Sequence, residues 1–278
     1  MTRPKTVIDA TNGSTGYWKD LWAYRGLFYF LAWRDLLVRY KQTVIGVAWA
    51  VIRPLLTIVV FSFFKTFLGT GVSVENAVLG VAVATIPWQL FSSALNESSN
   101  SLIANANLIT KVYFPRMIVP VSTIIVSIVD FLISMLIVAG LLIYFGHTPT
   151  WNILYLPAFL ILTILAAIGS GLFLAALNVK YRDFRYVVPF IIQLGLFVSP
   201  IAFSSTDVYQ DNVPAVFQRL YSLNPMVAVI DGFRWCILGT EFVADQIGLI
   251  LSLGVTVVML FVGVWYFRKT ERGFADII

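Results

Sequence analysis

The sequence predicts an all-α polytopic membrane protein. It has six transmembrane helices, an amphipathic helix lying on the surface before the first, and re-entrant helices between spans five and six. Three observations predict this. First, 59% of the 278 residues are hydrophobic and only 12% are charged, whereas a soluble domain carries about 25% charged residues. Second, the apolar residues gather into runs longer than the roughly 18 residues that cross a bilayer core. Third, the basic residues collect between alternate runs, as cytoplasmic loops require.

The predicted spans are 44–68, 78–104, 117–145, 152–177, 187–203 and 243–267. The latter half of the second is polar, from Asn96 and Glu97 through Ser101, and reads as a helix extension into the cytoplasm. Of the 19 Lys and Arg residues, fifteen precede span one, follow span six, or lie between spans two and three or four and five. Only Arg219 and Arg234 fall on the opposite side, and Arg53 and Lys65 fall in the membrane. Both termini are therefore expected in the cytoplasm. Residues Met1 to Ser14 lack the apolar core of a signal peptide. The whole chain reads as one membrane domain: 1–43 as tail and surface helices, 44–267 as the six-span core, and 268–278 as a second cytoplasmic tail.

Two stretches are neither span nor simple loop. Residues 17–40 mix aromatic and charged residues at helical spacing, from Tyr17 and Trp18 to Trp33 and Arg34. Such a helix lies in the headgroup layer or packs on the body of the protein. Residues 204–242 are broken by Pro214 and Pro225, and the apolar run Met226–Gly239 holds Asp231 and Arg234 one turn apart. At helical rise that run reaches about 21 Å, short of a core of about 30 Å, so a pair of helices dipping in from the outer face is expected.

Several chemistries are missing. No Gly-Lys dipeptide occurs, so no Walker-type phosphate loop is present. No Asp-x-Asp pair suggests a metal-bound sugar nucleotide. One cysteine (Cys236) and one histidine (His147) make neither a disulfide framework nor a usual zinc site. The net charge of +5 is spread in the pattern of membrane topology, not of nucleic-acid binding. No catalytic residue, bound cofactor or metal is expected. Gly169-Ser170-Gly171 sits within a span, where small residues permit close helix packing.

An ordered set of motifs then points to one family. They are Arg34-Asp35-Leu36-Leu37-Val38-Arg39-Tyr40-Lys41-Gln42-Thr43 running into Gly46-Val47-Ala48-Trp49-Ala50, then Ile86-Pro87-Trp88, then Asn105 to Arg116. They continue with Ala176-Leu177-Asn178-Val179-Lys180-Tyr181-Arg182-Asp183, Ser199-Pro200 and Leu223-Asn224-Pro225-Met226. Together they resemble the permease subunits of ABC-2-type polysaccharide exporters, which serve O-antigen, capsule and teichoic acid export. Arg53-Pro54 departs from the pattern, in which a neutral residue, often Gln, precedes the proline.

The resemblance implies a homodimer in the bacterial inner membrane, with two copies of a separate cytoplasmic ATPase that binds the ATP and Mg²⁺. It implies a lipid-linked polysaccharide as cargo, O-antigen foremost. It implies an interface helix and a short gate helix at 34–41, with Trp33, Arg34, Arg39 and Tyr40, and an ATPase-coupling segment with Asn107, Leu108, Ile109, Thr110, Lys111 and Tyr113. Spans one and five would line the path.

The residues give that lining a form. Trp49, Arg53, Thr57, Val60 and Phe64 share one helical face, as do Tyr186, Phe190, Gln193 and Phe197. Sugar rings stack on aromatic faces and bond to amides and hydroxyls; the same rings also suit lipid. Arg53 and Asp130 are the expensive residues, at about 2.5–3.5 kcal/mol each by insertion scales. They fit an ion pair with each other or a direct role for Arg53 toward an anionic group of the cargo. Three other readings share these features: a permease of the same type for a drug, lipid or other small molecule; a membrane-embedded glycosyltransferase or polymerase; and a passive channel or scramblase. The ordered motifs and the aromatic surface helix count against the first, and the short loops, poor in acidic residues and histidine, count against the second.

Overall fold

A computed structural model of the chain describes residues 16–41, 48–67, 73–209, 213–242 and 246–274. The polar tail at 1–14, the junction at 42–47 and Asp211 lie outside the described residues, and all the described elements are helices. Aromatic-rich α1 (Tyr17–Ala23) turns at Tyr24 into α2 (Arg25–Lys41). The expected short helix at 34–41 is not separate: α2 runs through it unbroken. No proline or glycine interrupts 27–41, and the straight-chain and aromatic residues there tolerate a helix.

The long helices are α3 (Ala48–Phe67), α4 (Val74–Ala104), α6 (Ile118–Tyr144), α7 (Leu156–Lys180, entered through a 3₁₀ turn at Trp151–Tyr155) and α11 (Gln246–Thr270). These five are long and apolar enough to cross a membrane. The chain is a multi-pass membrane protein on that basis. Short α5 (Ala106–Lys111) follows α4. The expected fifth span is α8 (Phe184–Val198), only 15 residues, or about 22 Å at helical rise. It stops at Ser199, whose backbone is extended (ψ 149°), because the residue before a proline avoids the helical region.

α4 is the hub. It packs against α3, α6, α7, α8 and α10 (Pro225–Leu238), and small residues from Gly80 to Ala84 let those helices approach. Its polar half does not leave the bundle. Ser98 and Ser99 are fully buried, and Asn178 of α7 donates to the Ser99 carbonyl (3.0 Å) and the Asn100 side chain (3.1 Å). The Ser99 hydroxyl bonds within α4, to the Asn96 carbonyl (2.8 Å), so the contact between the helices is carried by Asn178. At Gly169 and Gly263, α7 and α11 come so close that a Cβ on Gly263 would stand 2.0 Å from the Gly169 carbonyl oxygen.

Two apolar clusters hold the ends of the bundle. One joins α4, α6, α7 and α10 through Trp88, Phe131, Met226 and Phe233. The other joins Leu31 of α2, Leu102, Ile109, Phe114, Leu172, Phe267 and Phe274. The second gathers α2, α5 and the ends of α7 and α11 at one end of the molecule. There Tyr17 donates to Glu271 (2.9 Å), and the Arg268 guanidinium lies 3.6 Å over its ring. Burial and the adjacent Glu271 raise the Tyr17 phenol above its ordinary pKa. Helix α10 is buried all round, and Gly239 ends it in the left-handed conformation (φ 66°) that glycine adopts without strain. It is preceded by amphipathic α9 (Ala215–Ser222).

Candidate functional site

A cavity of about 1150 Å³ opens at the clustered end, between α2, α3, α4 and α6. Each helix contributes one polar face. On α4, Gln89, Ser93, Glu97 and Asn100 recur at spacings of four, four and three; on α6, Ser127, Asp130 and Ser134 do the same. Helix α3 adds Trp49, Arg53 and Thr57, and α2 adds Arg34, Asp35, Arg39 and Tyr40.

An ion-pair network crosses the cavity. Arg39 donates to Glu97 of α4 and lies 2.6 Å from Asp130 of α6. Tyr40 donates its hydroxyl to the other oxygen of Asp130, and Ser127 donates to Glu97 (3.4 Å). Arg34 pairs with Asp35 (2.6 Å) and donates to Asn105 (2.8 Å). Burial works against the Arg39 charge, but Glu97 and Asp130 together outweigh it and raise its pKa. Burial, followed by the Asp130 hydrogen bond and charge, raises the Tyr40 phenol. The network fixes the C-terminal turn of α2 to two other helices.

This geometry settles the partner of Asp130. Asp130 belongs to Arg39 and Tyr40, and Arg53 pairs with no carboxylate among the described residues. Arg53 is exposed and lines the cavity, and its carbonyl accepts from the Thr57 hydroxyl (3.0 Å). The lining carries three arginines and three carboxylates. Two of those carboxylates converge on Arg39.

The structure brings Trp49, Arg53, Thr57, Arg34, Arg39, Tyr40 and Asp130 into one cavity. It leaves Phe64 on the exposed face of α3 and Tyr186, Phe190, Gln193 and Phe197 on the exposed face of α8. Trp33 is also exposed and stacks on Tyr29, with 6.5 Å between ring centres. In α5 and the turn after it, Ile109 is buried as an anchor and Leu108 is half-buried, while Asn107, Thr110, Lys111 and Tyr113 face outward. Sequence reasoning set aside Glu97 and missed Asn100, Ser93 and Gln89. The signal was their helical spacing within a stretch taken to leave the membrane.

Comparison with known proteins adds the lineage. The family model for ABC-2 type transporters matches residues 26–238. The chain is 25% identical over 260 residues to the O-antigen export system permease protein RfbA of Myxococcus xanthus, covering 94% of this chain and 98% of that protein. It is 29% identical over 247 residues to the RfbA permease of Klebsiella pneumoniae, covering 88% and 92%. The capsule polysaccharide export inner-membrane protein CtrC of Neisseria meningitidis serogroup B is 23% identical over 263 residues, covering 93% and 96%. Because the family match spans well over half of the chain, from α2 through α10, the chain belongs to the ABC-2 type transporter family.

Proposed function

We propose that this chain is the membrane subunit of an exporter that carries a lipid-linked polysaccharide, O-antigen foremost, across the bacterial inner membrane. The relatives named for O-antigen and capsule export, matched over nearly their whole length, support the cargo class. The single observation that carries the mechanism is the cavity, where Arg53 stands without a carboxylate partner among the described residues, beside Trp49 and Thr57. The planar guanidinium fork suits a phosphate, and the anionic headgroup of a lipid-linked glycan presents one. Arg53 shares this cavity with Arg34, Arg39 and Tyr40 of α2, the helix that on this reading lies at the inner leaflet where a headgroup enters.

The rest of the reading follows from this one. Residues 1–278 act as one membrane domain with both termini cytoplasmic. Helix α8 serves as the fifth of six spans, and α9 and α10 are re-entrant from the outer face. Two copies pair so that the exposed faces of α3 (Trp49, Val60, Phe64) and α8 (Tyr186, Phe190, Phe197) line a path between them. Exposed apolar faces this extensive need lipid or a partner to cover them. The outward side of α5, with Asn107, Thr110, Lys111 and Tyr113, docks a cytoplasmic ATPase, and two ATPase copies bind the ATP and Mg²⁺. This chain binds no cofactor itself.

The test is reconstitution with the ATPase in vesicles. A lipid-linked glycan should stimulate ATP turnover, and Arg53→Gln should assemble at normal yield while losing that stimulation. Normal stimulation in Arg53→Gln removes its role toward the headgroup. A small amphiphile that stimulates turnover while the glycan does not would overturn the cargo assignment.

A further inference from the structure

The cavity between α2, α3, α4 and α6 holds more than its charges. A smaller cavity, of about 380 Å³, lies at the opposite end of α3 and α4, but its Asp231 and Arg234 are engaged with each other, with Ser205 and with backbone carbonyls. In the large cavity two neutral side chains are left open. Gln89 and Ser93 of α4 are half-buried and line it, and neither the Gln89 amide nor the Ser93 hydroxyl bonds to another described residue. Gln89 stands at the midpoint of α4, with residues 74–88 before it and 90–104 after it. In a membrane bundle a glutamine at that depth bonds a neighbouring helix; this one faces the cavity instead.

The register of α3 against α4 sets what stands level with Gln89. The two helices pack antiparallel, and a Cβ on Gly80 would lie 3.8 Å from the Lys65 ammonium. At helical rise Arg53 stands about 21 Å before the end of α3, and Gln89 about 22 Å after the start of α4. The two are therefore at one level. Trp49 and Ser93 lie one turn further toward the Arg39 end on the same two helices, and Trp49 is 45% exposed. The cavity thus sets a guanidinium level with an amide, and an indole level with a hydroxyl, one turn apart.

The donors and acceptors select the ligand. Arg53 offers donors only and has no carboxylate partner among the described residues. Gln89 asks for an acceptor and a donor together. An ionised phosphate suits Arg53 and can accept from the Gln89 amide nitrogen, but it has no proton for the amide oxygen. A lipid tail would leave all of these groups unpaired. A sugar hydroxyl both donates and accepts, and a pyranose ring has an apolar face that stacks on an indole. We propose that this part of the cavity is a glycosyl-phosphate subsite, in which Arg53 takes the carrier phosphate while Gln89 and Ser93 bond the hydroxyls of the first sugar. Gln89 and Ser93 then tell a loaded carrier from a bare one. The proposal rests on the export reading above and names the part of the cargo that this cavity reads.

The test is equilibrium binding to the permease–ATPase complex in lipid nanodiscs. The probes are radiolabelled farnesyl diphosphate, either bare or carrying one glucose, galactose or N-acetylglucosamine on its terminal phosphate. At least one glycosylated probe should bind about tenfold more tightly than the bare one, the worth of one or two hydrogen bonds. Gln89→Leu should weaken that probe about tenfold and Ser93→Ala about threefold, with smaller losses for the bare probe. Arg53→Gln should weaken both probes. Ser93→Ala keeps the test valid if Gln89→Leu assembles poorly. Equal binding of the bare and glycosylated probes would mean a phosphate site only and would overturn the proposal. So would a preference that survives both Gln89→Leu and Ser93→Ala, or the failure of every probe to bind. ATP-driven export of a lipid-linked glycan, measured on the same preparation, separates the failures. Export without the preference sinks the subsite alone, and the preference without export sinks the transport reading.

Discussion

The two ends of the α3–α4 pair both hold buried charge, but they are wired differently. At the Arg39 end, the charges come from three helices: Arg39 from α2, Glu97 from α4 and Asp130 from α6. At the Arg234 end, the ion pair lies within one helix, Asp231 to Arg234 at 3.8 Å, three residues apart. A pair within one helix travels with that helix and does not restrain its position. What holds α10 in place is the reach of Arg234 to backbone carbonyls of α4 and of the segment after α8, at Gly80, Ile201 and Phe203. Backbone carbonyls cannot be exchanged for another partner by a passing ligand. Carboxylates on separate helices can be, since an anion competes for the same guanidinium. The Arg39 end is built as a releasable fastening and the Arg234 end as a fixed one.

The largest effect expected from breaking this contrast is at Arg234. Arg234→Ala removes four backbone hydrogen bonds and strands Asp231, which is 3% exposed. Removing one partner of a buried pair costs about 3–5 kcal/mol, so folded yield and melting temperature in detergent should both collapse. Arg234→Ala combined with Asp231→Asn should recover part of that loss. A melting temperature within about 2 °C of the parent protein, less than a loss of about 1 kcal/mol would cause, would show that Arg234 is not the anchor.

At Arg39 the expected loss is smaller, because the side chains of the network keep between 18% and 28% of their exposure. Arg39→Ala should cost about 1–3 kcal/mol and free the end of α2. Spin labels on α2 and α6 should then report a broader distance distribution. Arg39→Lys keeps the charge but loses the fork that reaches two carboxylates, so it should fall between the two. An unchanged distance distribution in Arg39→Ala would mean that Leu31 and its apolar neighbours alone hold α2.

The sequence revealed these two ends unequally. Five spans were legible because length and apolarity suffice to identify them, and Asp130 stood out as a charge at depth. Its partner did not, because no spacing rule links residues 39 and 130 across the three intervening helices. Glu97 is inconspicuous in sequence because Asn96 to Ser101 read as a helix extension into the cytoplasm; the structure packs that extension against α7, with Ser98 and Ser99 buried and Asn178 donating to the Ser99 carbonyl. Helix α8 ends five residues before the predicted span and starts three before it, since Ile201, Ala202 and Phe203 are apolar and only Ser199-Pro200 marks the break. The smaller cavity was legible only in part, through Asp231 and Arg234 one turn apart. Its lining also includes Lys65, Asn76, His147 and Glu241, residues far apart in sequence that only the packed fold brings together.

The smallest effect is also the most discriminating. If Arg39 is shared by two carboxylates, each carboxylate covers for the other. Glu97→Gln leaves the 2.6 Å pair with Asp130 intact, and its own loss should stay below about 1 kcal/mol, as for a partly exposed pair. Asp130→Asn should cost slightly more, because Tyr40 then donates to a neutral amide oxygen instead of a carboxylate. The double variant leaves Arg39 in the cavity beside Arg34 and Arg53 with neither of its own carboxylates. Its cost should exceed the sum of the singles by about 0.5–3 kcal/mol, the range seen for coupled neighbours. The double variant should also bind inorganic phosphate more tightly than the parent, since the cavity loses two negative charges and Arg39 loses both carboxylates. Additive losses would show that the two carboxylates act separately, and the contrast between a shared fastening at one end and a single pair at the other would fall.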